Sequence, residues 1–200
     1  MNLKTIAHHT IDLDLLPLPG DGHVLDVGCR NFDFFREFCI NEVFGMDPDP
    51  AIEPPADVRF LRSALVGDGR KSSRYASYST GEGNMLTDLD KYYDAKMLVV
   101  PCCTIEEVMR VTGVAHWDVV KLDCEGSEFG ILENWPGPIA TQISVEFHDY
   151  SYANYNQPEY YEKLWAGPLH KYKVIQHELS KQGEGWGHWD TLLVLRTAMQ

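Results

Sequence analysis

The sequence is short of positive charge: only 17 of its 200 residues are Lys or Arg, against 30 Asp and Glu, for a formal charge of −13 at neutral pH. A phosphate backbone is bound through a local excess of basic side chains, so a nucleic-acid partner is not expected. Long apolar runs are missing too, none approaching the roughly 18 residues needed to cross a bilayer. The opening stretch MNLKTIAHHTIDLDLLPLPG has no basic segment leading into an apolar one. The expectation is a soluble, cytoplasmic protein with no membrane span. No C-x-x-C pair occurs, which removes zinc ribbons and dithiol redox motifs. The five cysteines, Cys29, Cys39, Cys102, Cys103 and Cys124, lie inside apolar runs and are expected to be reduced and buried. Internal repeats and low-complexity tracts are absent. So is G-x-G-x-x-G, which argues against a dinucleotide held by its pyrophosphate.

What is present suits one α/β domain over residues 1–200: apolar residues make up 44% of the chain, enough for a continuous core. Residues 1–20 read as an N-terminal extension. The run His23-Val24-Leu25-Asp26-Val27-Gly28 is apolar on both faces, as a buried parallel strand is. Asn31 can cap a helix carrying Phe32, Phe35, Phe38 and Cys39 at helical spacing, and a second strand, Val43-Phe44-Gly45-Met46, completes a βαβ unit. A third strand is predicted at 58–61. Residues 67–95, rich in Ser, Gly and Tyr, read as a long loop suited to a lid over an acceptor. Further strands are expected at 96–100, 117–123, 142–147, near Val174 and at 191–196, with helices opening at Thr104, at Ser127 and at Pro158 and a glycine turn at Gly183, Gly185 and Gly187. The alternation predicts a doubly wound, mostly parallel sheet with helices on both faces and a ligand outside the carboxyl ends of the strands.

Those strand ends hold the candidate chemistry. Gly28 allows a ligand to approach the backbone beside the Asp26 carboxylate, and nineteen residues later Asp47 ends the next strand, where an acid can accept both hydroxyl hydrogens of a ribose. Singly, a glycine that starts a helix and an aspartate before Pro48 are ordinary; at consecutive strand ends they favour a nucleoside-like cofactor. Asp123 and Glu125 end a neighbouring strand, and Glu146 and His148 end another, so carboxylates and an imidazole converge. Such a group supplies an acid or base, or shares a divalent cation through Asp123, Glu146 and His148. Glu128, one turn further on, reads as a solvated helix position.

The segment WDVVKLDCEGSEFGIL resembles the signature of the FkbM-type methyltransferases, I-D-x-x-K-x-D-x-E-G-x-E-x-x-x-L, with Asp118, Lys121, Asp123, Glu125, Gly126, Glu128 and Leu132 in register. VLDVGCRN at 24–31, FGMDPDP at 44–50, SALVGDG at 63–69, ISVEFHD at 143–149 and the closing LLVLR extend the likeness. The resemblance implies a Rossmann-like class I methyltransferase fold with an antiparallel last strand, S-adenosylmethionine as cofactor, and O-methylation of a sugar or other small hydroxylated acceptor. It implies that Asp26, Gly28, Cys29 and Arg30 line the methionine end of the cofactor, Asp47 and Pro48 its ribose, and Ser63 and Ala64 its adenine. Asp123 would lie beneath the sulfonium, with Glu125 and His148 as candidate bases. The chain departs from the family's D-x-G-x-N-x-G turn, which here reads Asp26-Val27-Gly28-Cys29-Arg30-Asn31-Phe32. Two other readings stay open: a non-catalytic binding module on the same fold, and a nicotinamide-dependent reductase using Asp47 and the pair Tyr92 and Lys96.

Overall fold

The computed structural model describes residues 1–6, 9–17, 21–32, 34, 42–80, 84–88, 94–148, 158–182 and 186–199. Its centre is a seven-stranded sheet. Strand β3 (His23–Val27) pairs in parallel with β4 (Glu42–Met46) and β10 (Trp117–Leu122). Strand β5 (Arg59–Leu61) extends the β4 side and β11 (Ala140–His148) the β10 side, again in parallel. Beyond β11 the direction alternates: β13 (Trp186–Leu195) is antiparallel to β11, and β12 (Tyr172–Gln182) is antiparallel to β13, giving the order β12-β13-β11-β10-β3-β4-β5. The sheet is therefore mixed, with five parallel strands and an antiparallel last strand, as the resemblance implies.

Alternation along the central strands sends side chains to two different environments. Leu25 and Val27 of β3, Val120 and Leu122 of β10, and Ile143, Val145 and Phe147 of β11 point to one face and form the main core. Three helices cover it: α1 (Ile105–Thr112) with Ile105 and Val108, α2 (Glu128–Glu133) with Phe129, Ile131 and Leu132, and α3 (Pro158–Ala166) with Tyr161 and Leu164. Phe44 meets Trp117 edge to face at 5.3 Å between ring centres, both fully buried, and burying each such ring stabilises the fold by roughly 1.5–3 kcal/mol. Helix α1 starts as its sequence predicts. The Thr104 side chain accepts from the Glu107 backbone N–H, the Glu107 side chain accepts from the Thr104 N–H, and Gly113 closes the helix in the left-handed region.

The helix expected on the other face, after Asn31, falls mostly on residues 33 and 35–41, outside the described residues. Among the described residues that face is covered by a hairpin of β1 (Leu3–Ile6) and β2 (His9–Asp12), the stretch read as an extension, together with Phe34. Ile11, Val24, Phe34 and Val119 pack there. The Gln142 side chain fastens β2 to the sheet: the Asp12 N–H donates to its Oε1 at 2.7 Å and its Nε2 donates back to the Asp12 carbonyl at 3.0 Å.

Residues 67–95 are not one loop. Strands β7 (Ser72–Ser77) and β8 (Met85–Thr87) form a hairpin on β9 (Lys96–Cys103), and β6 (Ala64–Leu65) joins β9 in parallel, making a second sheet of order β6-β9-β7-β8. Buried Ser73 and Tyr75 alternate with exposed Ser72 and Arg74, a period of two that serines conceal in the composition. The cysteines among the described residues, Cys29, Cys102, Cys103 and Cys124, are free, the first two buried. No helix of the described residues is long and apolar enough to cross a membrane.

Candidate active site

The carboxyl ends of β3, β4, β10 and β11 open into one cavity of about 510 Å³. Its wall includes every residue named for the methyl donor, catalysis or a cation: Asp26, Gly28, Cys29, Arg30, Asp47, Pro48, Ser63, Ala64, Asp123, Glu125, Glu146 and His148; of the reductase pair, Tyr92 lies outside the described residues and Lys96 is exposed and not in the wall. The sheet order lays them out in a line. Asp47 follows β4, Asp26 lies in β3, Asp123 follows β10, and Glu146 and His148 lie at the end of β11.

At the β3 end, Gly28 adopts φ +74°, and a Cβ there would lie 1.7 Å from the Asp123 carbonyl oxygen, so only glycine lets these two turns meet. Phe32, where the family pattern has its second glycine, keeps a left-handed backbone with φ +56°. Its buried ring packs with Cys29, Ile52, Val58 and Phe60, contacts that offset the roughly 1–2 kcal/mol such a backbone costs. Arg30 reaches across the cavity mouth, its Nη2 donating to the Thr80 carbonyl at 2.5 Å.

Asp47 is buried, and its Oδ1 accepts from the Asp49 N–H at 2.9 Å. Asp49 in turn accepts from Asn84 Nδ2 at 2.8 Å, which ties the second sheet to the end of β4. Burial, reinforced by Asp49 and Asp26, raises the Asp47 pKa to about 6 despite the Asp49 hydrogen bond and Lys121. Ser63 Oγ donates to the Pro101 carbonyl at 3.1 Å, and Ala64 is buried in β6.

Beneath the centre lies Lys121, a motif residue given no role in the sequence reading. Its Nζ is 3.0 Å from Asp26 Oδ1 and 3.3 Å from Asp123 Oδ2, and it donates to the Gly28 carbonyl at 2.8 Å. Burial alone would lower its pKa, but Asp26 and Asp123 overcome that and hold the ammonium charged. Burial likewise works against an ionised Asp123, yet Lys121, His9 and His148 keep its carboxyl well below the usual range.

Glu128 is not solvated; it is fully buried. Its two oxygens accept from the Cys124 N–H at 2.6 Å and the Gly126 N–H at 2.9 Å, and Oε1 lies 3.1 Å from His148 Nδ1. The turn it stabilises holds Glu125 at φ +51°, with Oε2 3.6 Å from His148 Nε2. Burial would lower the His148 pKa, but Glu128, Glu146 and Glu125 raise it well above its ordinary value.

Two histidines missed in the sequence complete the β11 end. The β11–β13 register sets His188 opposite His148 and Asp190 opposite Glu146, and His188 Nδ1 lies 3.1 Å from Glu146 Oε1. His9, carried by β2, lies 3.5 Å from Asp123 Oδ2 and 3.7 Å from Glu146 Oε2. The alternative cation ligands named from the sequence, Asp123, Glu146 and His148, do not form one set; they are spread over three, the third being Glu146 with His188 and Asp190. His9, Asp123 and Glu146 bring donor atoms within 4.8 Å of one another, as do Asp123, Glu125 and His148. His148 Nε2 nevertheless lies 3.3 Å from Glu146 Oε1 and 3.8 Å from Asp123 Oδ1.

The mixed seven-stranded sheet with its antiparallel edge pair, and the strand-end cavity that begins at an Asp-x-Gly turn, accord with the methyltransferase fold that the sequence resemblance implies. The methyltransferase FkbM domain matches residues 31–191, and the chain belongs to that family, whose methyl donor is S-adenosylmethionine. The fold is similar to that of M. capricolum TrmK solved with S-adenosyl-homocysteine, at 12% identity, TM-score 0.44, and coverage of 93% of this chain and 69% of that one. It is also similar to a 16S rRNA (adenine(1408)-N(1))-methyltransferase from Catenulisporales acidiphilia, at 12% identity, TM-score 0.44, and coverage of 88% and 86%. No curated protein matches the chain.

Proposed function

We propose that the protein transfers the methyl group of S-adenosylmethionine to a hydroxyl of a small acceptor such as a sugar. The observation that carries this reading is the order of groups along the cavity. Ser63, Ala64, Asp47 and Pro48 suit a nucleoside, and Asp26, Gly28, Cys29 and Arg30 suit the methionine portion. Asp123 suits the sulfonium, and Glu125, His148 and Glu146 lie beyond it. The described lining residues include six carboxylates, Asp26, Asp47, Asp49, Asp123, Glu125 and Glu146, against Lys121 and Arg30, a balance that favours a cationic cofactor and an uncharged acceptor over a phosphate backbone.

Methyl transfer is an in-line displacement on an already activated carbon, so the protein mainly supplies alignment and a destination for the acceptor's proton. As the acceptor oxygen bonds to the methyl carbon, the carbon–sulfur bond breaks and the hydroxyl proton passes to the Glu125 carboxylate. His148, held protonated by Glu128, positions that carboxylate. Calorimetry with S-adenosylmethionine and S-adenosylhomocysteine tests the reading: one-to-one binding of both is expected, and no heat with millimolar ligand would leave only a fold that has lost its cofactor.

Asp47→Asn is expected to trade stability against binding. A carboxyl whose folded pKa is raised to about 6 contributes stability that is complete below its ordinary pKa and lost as pH rises through 6. Its ionised form therefore strains the fold at pH 7.5. Asparagine keeps the acceptor for the Asp49 N–H and removes the charge faced by Asp49, Asp26 and Lys121. Denaturation should show a gain of about 2–3 kcal/mol at pH 7.5 and almost none near pH 4. S-Adenosylhomocysteine should bind at least tenfold more weakly, the effect of about 1.5–3 kcal/mol for a lost charge-assisted hydrogen bond. Equal stability changes at both pH values, or unchanged affinity, would contradict this account of Asp47.

A further inference from the structure

The β11 end of the cavity holds groups that the methyl donor does not use. His9 is the most distinctive. It comes from the N-terminal hairpin, outside residues 31–191 that match the family, and is 1% exposed. Its Nε2 is buried and makes no hydrogen bond, although it faces two carboxylate oxygens at 3.5 and 3.7 Å. The geometry at Nε2 is that of an atom aimed between two acids rather than at either one. The other ring nitrogen, Nδ1, is steadied by Ser144 Oγ at 3.4 Å, and the Asp12–Gln142 clasp fixes the strand that carries it.

We propose that His9 Nε2, Asp123 and Glu146 bind one first-row divalent cation, which holds the hydroxyl oxygen of the methyl acceptor. Two donors each about 2.1 Å from one ion, at a tetrahedral angle, stand roughly 3.4 Å apart. The separations from His9 to the two carboxylates are close to that value, and all three donors lie within 4.8 Å of one another. Lys121 Nζ stands 3.3 Å from Asp123 Oδ2 and His148 Nε2 stands 3.3 Å from Glu146 Oε1, so each acid has one positive neighbour on its far side, and the cation would lie on the side that faces His9. One imidazole nitrogen with two carboxylate oxygens suits Mn²⁺, Fe²⁺, Co²⁺ or Zn²⁺ better than the all-oxygen preference of Mg²⁺ or Ca²⁺. The side facing the cavity leaves coordination positions for water or an acceptor oxygen, where a cation lowers the pKa of the hydroxyl it binds. The acceptor role rests on the methyl-transfer reading above; the cation site rests on its own three residues.

The test is titration of the chelator-treated full chain with Co²⁺, followed by ligand-field absorption, alongside calorimetry with S-adenosylhomocysteine on the same sample. One-to-one Co²⁺ binding is expected, with affinity reduced at least tenfold in His9→Gln and in Glu146→Gln. Pulsed electron paramagnetic resonance of the wild-type protein with Mn²⁺ should show coupling to an imidazole nitrogen, a readout independent of how the variants fold. Absence of a stoichiometric ligand-field band, absence of nitrogen coupling, or equal Co²⁺ affinity in a folded His9→Gln protein would each overturn the site. If S-adenosylhomocysteine binds while Co²⁺ does not, the cation proposal alone fails. If Co²⁺ binds while the nucleoside does not, the cation site stands and the methyl-transfer reading falls.

Discussion

Replacing Lys121 with methionine is expected to cost the fold about 3–5 kcal/mol, the range for removing one partner of a buried ion pair. The Lys121 side chain is 6% exposed and that of Asp26 is 1% exposed, and neither Asp26 oxygen makes a hydrogen bond apart from the ion pair that Lys121 provides. Methionine matches the stem of lysine and leaves the charge of Asp26 uncompensated, so packing loss is small and electrostatic loss dominates. Asp26 responds by taking up a proton. Burial already raises its pKa against the pull of Lys121 and His9, with Asp123 adding to the rise, and without the lysine the rise is larger. A carboxyl with a raised folded pKa loses its stabilising protonated form as pH increases. The deficit of Lys121→Met should therefore be small near pH 4 and grow towards pH 8. Adding Asp26→Asn should restore most of the loss at pH 8. Chemical denaturation of wild type, both single variants and the double variant at two pH values measures the coupling directly. An equal deficit at both pH values, with no recovery in the double variant, would mean that Lys121 acts through packing or its bond to the Gly28 carbonyl.

This pair also marks how far the sequence can be read without coordinates. Parallel strands all present their carboxyl ends along one edge of a sheet, so locating the strands located Asp26, Asp47, Asp123, Glu146 and His148 together. Facing across strands follows from register instead. That Lys121 stands opposite Asp26, and His148 opposite His188, depends on pairing between segments far apart in the chain. The N-terminal hairpin was hidden for a different reason: its strands have four residues each and no Gly, Pro or Asn stands between Ile6 and His9 to announce a turn. Its place under β11 depends on the Asp12–Gln142 contact across 130 positions. Glu128 reads as solvated because an acid in the first turn of a helix ordinarily is; the Cys124–Gly126 turn folded over it supplies two partners and His148 of β11 the third.

Gly28→Ala is expected to damage the site more than any substitution of a polar residue around it. Two costs combine. The first is the left-handed backbone at φ +74°, roughly 1–2 kcal/mol for an alanine. The second is a Cβ set 1.7 Å from the Asp123 carbonyl oxygen, a backbone atom with no rotamer by which to withdraw. Gly28 cannot easily retreat either: its N–H donates to the Met46 carbonyl at 2.9 Å, and the Asp123 N–H donates to the Val27 carbonyl at 3.2 Å. The β3 and β10 turns must separate by more than an ångström, with an overpacking cost of about 1–3 kcal/mol and displacement of Asp26 and Asp123 from each other. A misplacement of that size costs on the order of a hundredfold in a positioned reaction. Gly113 supplies the control. It has nearly the same backbone angle, φ +76°, but a Cβ there meets nothing within 4 Å, so Gly113→Ala carries the backbone cost alone. Denaturation should place Gly28→Ala about 2 kcal/mol or more below Gly113→Ala, and calorimetry should show S-adenosylhomocysteine binding lost in the first and kept in the second. Equal destabilisation of the two variants would mean that the close approach of Gly28 to Asp123 is not what shapes the cavity, and the placement of the methionine end of the cofactor at that turn would fall with it.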